Sequence, residues 1–244
     1  MNEKEKLISK AENAHVIGGA LLFFWAITKL PEFIYCLLSI FGTFASGYML
    51  ETIQIESLLS TISYPIILAV ALVFVISKRS NILGFIFMIL SLAFPILLIS
   101  ELNGIEDLYD ILVLIISTAT ALLITFTAVS ILLSIIFQHK RLTILNFGFI
   151  LPCIYIVTII ICLCIISVKN TSQGQYITDI WPTIYSFISQ LFPWAIFGVG
   201  IGMIMQGANL QNKMNSYIDH SPGYTNPEMN MPKQQYNYGQ IGGM

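Results

Sequence analysis

Residues 111–137 run without a single ionisable side chain. As a helix, at 1.5 Å per residue, that stretch is about 40 Å long, more than the roughly 30 Å hydrocarbon core of a bilayer, so it spans with tilt or protrudes. Four further apolar runs, 58–77, 82–100, 144–168 and 180–205, have bilayer length. Only 10% of the chain is charged and its mean hydropathy is +0.81, where a soluble domain carries about a quarter charged residues. The expected fold is therefore an all-α integral membrane protein, with the lipid bilayer as its first partner. A net charge of −2 leaves no basic face for phosphates and excludes a nucleic-acid partner.

Two basic corners organise the runs. Lys78-Arg79-Ser80-Asn81-Ile82-Leu83-Gly84-Phe85-Ile86-Phe87 has a near copy in Lys140-Arg141-Leu142-Thr143-Ile144-Leu145-Asn146-Phe147-Gly148-Phe149. Each is a dibasic knot, a spacer, a small polar residue and an Ile-Leu-x-Phe-x-Phe lead into an apolar run. Lys and Arg concentrate in cytoplasmic loops. With both corners inside, the inside holds Lys4, Lys6, Lys10, Lys78, Arg79, Lys140, Arg141, Lys213 and Lys233, and the outside at most Lys29 and Lys169. That partition needs an even number of crossings and both termini cytoplasmic. The knot-to-knot unit of outward helix, external loop and inward helix predicts six transmembrane helices, arranged as three helical hairpins in parallel repeat. The expected divisions are a cytoplasmic segment over 1–13, a membrane domain over 14–205 and a disordered cytoplasmic tail over 206–244. The tail is rich in Asn, Gln, Gly, Pro and Tyr and offers little apolar surface to offset ordering entropy.

Residues 14–50 read in three ways, because Lys29-Leu30-Pro31-Glu32 interrupts the apolar sequence: two short spans, one long kinked span, or one span with an interfacial piece. Parity favours one crossing. The mixed-charge start before Ala14 is unlike a cleavable signal, so an uncleaved anchor is expected. His15 reads as a solvated interfacial residue, with no ligand-type partner at i+3 or i+4.

No catalytic, cofactor or metal motif stands out. Cys162 and Cys164 point to different helix faces, and Cys36 and Cys153 read as apolar packing residues. Glu106, Asp107 and Asp110 suit the dipole at the start of the 111–137 helix better than a cation. The five runs after residue 57 contain no charge, which counts against an ion-driven pump. Lys29 and Glu32, three apart, form a candidate intramembrane ion pair, with a snorkelling interfacial pair as the alternative. Ser117, Thr120, Thr127, Ser130 and Ser134 trace one helical face. Such a face either packs against a helix or lines a path for a neutral solute. Gly198 and Gly202 form a small-xxx-small pair that fits helix packing and self-association alike. Asn170-Thr171-Ser172 matches a glycosylation acceptor.

Two functions are consistent with these features. The first is a non-enzymatic scaffold or accessory subunit that docks a cytoplasmic protein partner through residues 206–244. The second is a passive carrier or channel for a neutral or lipid-like molecule, with prolines as hinges.

Overall fold

The computed structural model describes residues 3–45, 55–100, 108–137, 150–172 and 180–219. These residues are all helical or in turns, with no strand among them. The helices are α1 (Glu3–Ala45), α2 (Ile55–Ser77), α3 (Ile82–Leu90), α4 (Ala93–Ser100), α5 (Leu108–Ile136), α6 (Ile150–Ser172) and α7 (Ile180–Asp219). Three are long and apolar enough to cross a membrane, over Glu5–Gly42, Leu108–Ile136 and Phe187–Asn215. Shorter apolar helical stretches cover Ile62–Ser77 and Ile150–Ile166. The bundle's outer surface is apolar too, with Tyr35, Phe41, Ile76, Phe126, Ile154 and Ile161 exposed. Hydrocarbon tolerates such a surface and water does not. The second basic corner, residues 140–149, and the acids Glu106 and Asp107 lie outside the described residues.

α1 packs against two helices, α7 and α2. It is one uninterrupted helix with Pro31 inside it, so the reversal allowed by the sequence between residues 28 and 33 does not occur. Its buried residues, Ala11, Ala14, His15, Leu22 and Ala26, recur at helical spacing. Gly18 and Gly19 sit in the middle of that seam. Successive helix positions differ by about 100° in direction, so the two glycines serve different neighbours. A Cβ on Gly18 would lie 2.7 Å from the Gly200 carbonyl oxygen on α7. A Cβ on Gly19 would lie 2.8 Å from the Ala71 carbonyl oxygen on α2. Backbone thus meets backbone on both sides of α1.

The contacts also fix directions. His15 lies by Gly207, Gly18 by Gly200 and Trp25 by Phe197, so α1 and α7 are antiparallel. His15 stacks on Phe74 and Phe33 on Tyr64, so α1 and α2 are antiparallel. Thr127 reaches Met205 and Asn212 reaches the Phe137 carbonyl, so α5 runs parallel to α7. Pro152 faces Gly202 and Tyr155 faces Gly198, which sets α6 antiparallel to α7.

The 82–100 run, expected as one helix, is two. Pro95 has no N–H to donate and its ring crowds the carbonyl four residues back, on Ser91. The break falls there: Ser91 and Leu92 form a turn, the Leu92 N–H bonds the Ile89 carbonyl at 3.0 Å, and the Ser91 hydroxyl bonds the Met88 carbonyl at 2.7 Å. α3 begins on a side-chain cap, Asn81 Oδ1 accepting from the Gly84 N–H at 2.7 Å. Residues 206–219, expected as the start of a disordered tail, instead continue α7. They do so because Gly207, Ala208 and Asn212 are buried against the bundle.

Gly18→Ala and Gly19→Ala should each destabilise the detergent-solubilised protein by about 1–3 kcal/mol, because the obstructing atoms are backbone. Gly42→Ala is the control: nothing lies within 4 Å of its added methyl, so it should leave stability level or raise it by up to about 1 kcal/mol. Denaturant titration followed by circular dichroism reads all three. Equal behaviour of Gly18→Ala and Gly42→Ala would remove the close approach as the organising contact.

Candidate functional site

The hydroxyl face of α5 is buried throughout. Four of its five hydroxyls donate to their own helix. Thr120 bonds the Ile116 carbonyl, Thr127 that of Leu123, Ser130 that of Phe126 and Ser134 that of Ile131, each at 2.8 Å. Back-bonding of this kind satisfies a hydroxyl without water or a partner helix. Ser117 Oγ is buried without a hydrogen bond. Of the five, Thr120 alone lines the cavity described next.

That cavity, of about 140 Å³, lies among α1, α2, α5, α7 and the Ser91 turn. Lys29 and Glu32 stand at it, with Nζ donating to Oε2 at 2.7 Å and side chains 33% and 52% exposed. The pair is partly exposed at the surface of the bundle. Trp25, Phe33, Tyr64, Trp194 and Phe197 supply aromatic walls, and Ser63, Ser91 and Thr120 supply hydroxyls. Phe33 and Tyr64 stack at 4.4 Å, and Trp25 meets Phe197 at 5.5 Å. Toward the His15 end, the chain positions that follow the cavity are Leu22, Val70, Phe74, Met88, Ile201 and Ile204, all fully buried. This apolar layer closes the cavity on that side.

Beyond the layer is a polar cluster that sequence reasoning misses. His15, expected at a wet interface, is fully buried. Its Nδ1 faces the Ala11 carbonyl at 2.9 Å and so carries a proton, since a carbonyl only accepts. In the neutral ring, Nε2 is then the acceptor for the Ser80 hydroxyl at 3.1 Å. The ring lies flat on Phe74, 5.5 Å between centroids, in space that Gly207 leaves open: a Cβ there would be 2.7 Å from the imidazole. The Ser80 N–H, outside any helix, donates to Gln211 Oε1 at 2.8 Å. Asn212 Nδ2 donates to the Phe137 carbonyl at 2.9 Å, and Arg79 meets Glu12 at 3.4 Å. One end of α1, the first basic corner, the end of α5 and α7 are thereby tied together. His15's partner is 65 positions away, so a search of its neighbours at i+3 and i+4 cannot find it. The weak signals were the glycine at 207 and the amides at 211 and 212, within a stretch that reads as tail.

The remaining candidates fall as follows. Gly198 and Gly202 face α6, their space taken by the Tyr155 ring and Pro152 at 2.7 Å from a built Cβ. Of the two uses the pair fits, this is helix packing within the chain. Asn170 lies on the backbone of the last turn of α6. All four cysteines are free, Cys36 and Cys162 buried, Cys153 and Cys164 exposed. Among the described residues no group of three or more His, Cys, Asp or Glu side chains comes together. No family model, curated protein or solved structure matches the chain.

His15→Ala strands the Ser80 hydroxyl and empties the space over Phe74, and should cost about 1–3 kcal/mol of stability. Ser80→Ala keeps the backbone bond to Gln211 and should cost less. Both are read as thermal midpoints in detergent. A His15→Ala midpoint equal to that of the parent protein would show that the cluster carries no tertiary energy.

Proposed function

We propose that the chain is a multi-pass membrane protein without catalytic activity, a scaffold or accessory subunit that holds its helices together and presents a cytoplasmic tail to a protein partner. It crosses six times, as three hairpins in parallel repeat, with both termini cytoplasmic. One observation carries this reading: four of the five hydroxyls on the buried face of α5 are spent on their own helix. Thr120, Thr127, Ser130 and Ser134 bond the carbonyls of α5, and buried apolar side chains, Leu22, Phe74, Met88 and Ile204 among them, lie between the cavity and the polar cluster. Helices arranged this way make a rigid body rather than a conduit. The contact directions support the crossing pattern, since α1 and α6 oppose α2, α5 and α7. The described part of α7 packs as far as Asn212, so the docking segment is the remainder, 220–244.

The passive-carrier reading rests on the cavity. It requires the layer of Leu22, Phe74 and Met88 to part, which makes it the second choice.

After replacement of the four native cysteines, Lys10→Cys, Lys140→Cys and Lys233→Cys should react with an impermeant thiol reagent from one side of sealed vesicles, and Lys169→Cys from the other. Labelling of positions 10 and 140 from opposite sides would overturn the topology. A partner co-purifying with the full chain should be lost on removal of residues 220–244. Its retention would overturn the docking role.

A further inference from the structure

Going beyond that reading, we infer that the cavity among α1, α2, α5 and α7 is a binding site for a small zwitterion bearing a compact apolar group. Both signs of charge stand at it on one face of α1: Lys29 Nζ and Glu32 Oε2, 2.7 Å apart and each partly exposed. A ligand with one charge takes one partner and leaves the other orphaned, whereas a zwitterion satisfies both. Its anionic group goes to Lys29 and its ammonium to Glu32, where the aromatic walls add cation–π attraction. The rest of the lining sets the apolar part. Trp25, Trp194, Phe197, Ile67 and Ile124 line the same space, about 140 Å³ in all and close to the roughly 150 Å³ of an engineered cavity that takes benzene, so the apolar part is no larger than one ring or branched alkyl group. Ser63, Ser91 and Thr120 offer hydroxyls around it. A free amino acid with a bulky side chain and a zwitterionic lipid headgroup share this chemistry.

The test uses the full chain in nanodiscs of phosphatidylglycerol, which supplies no competing zwitterion. Two of the three tryptophans line the cavity, so indole fluorescence reports occupancy, with calorimetry as the second readout. The probes are phenylalanine, 3-phenylpropionate, phenethylamine and glycerophosphocholine. Saturable phenylalanine binding at least about tenfold tighter than either singly charged analogue is expected, falling by at least about tenfold in both Lys29→Met and Glu32→Gln. Both positions are partly exposed, so the variants should keep the parent's thermal midpoint. Binding of glycerophosphocholine with the same dependence on both residues, and none of phenylalanine, supports the site and assigns it to a headgroup. The inference is overturned if neither zwitterion binds, if the analogues bind equally well, or if affinity survives both substitutions. None of these outcomes touches the labelling pattern or the tail-dependent partner, so the two readings fail separately.

Discussion

Two adjacent glycines allow α1 to take a helix on each side at backbone contact. In hydrocarbon, one helix gains nothing from hiding apolar surface against another, so association rests on close van der Waals contact and on hydrogen bonds. Gly18 meets the Gly200 carbonyl region and Gly19 meets Ala71. These approaches bring α7 and α2 close enough for Leu22, Phe74, Ile201 and Ile204 to become fully buried. The apolar layer that closes the cavity is a consequence of that spacing, and so is the reach of Gln211 to Ser80.

The polar cluster at one end follows a different rule. A buried polar group without a partner is costly, so each member needs another from a different part of the chain. Ser80 leaves the helical ladder at the corner after α2, where Lys78 adopts a left-handed backbone with φ of 55°. Its N–H is completed by Gln211 and its hydroxyl by His15. The basic corner is thereby fixed against the first and last helices, and α7 stays helical past its apolar stretch.

Proline has different effects at different sites. Pro31, Pro65 and Pro193 sit inside continuous helices, while Pro95 coincides with a break. At the break, Ser91 and Leu92 find replacement bonds to the Met88 and Ile89 carbonyls, and the freed turn opens onto the cavity. The cavity therefore takes one lining residue, Ser91, from a helix interruption, and its charges from a helix that Pro31 does not interrupt.

The sequence by itself determined the apolar helices and their approximate limits, because hydropathy over 20 residues is a local property: 58–77, 111–137 and the start at Ile180 stand close to α2, α5 and α7. It also placed Lys29 within reach of Glu32, since three residues make nearly one turn. It left open whether residues 14–50 reverse, missed the break that Pro95 sets locally at Ser91, ended α7 too early and put His15 in water. Apart from the break, those features depend on partners far along the chain: Gly200 and Ala71 for α1, Gln211 for Ser80, Gly207 for the imidazole. Only the tertiary structure decided them, because the free energy of a polar group or a glycine in a helix is set by what packs against it, and periodicity carries no record of which helix that is.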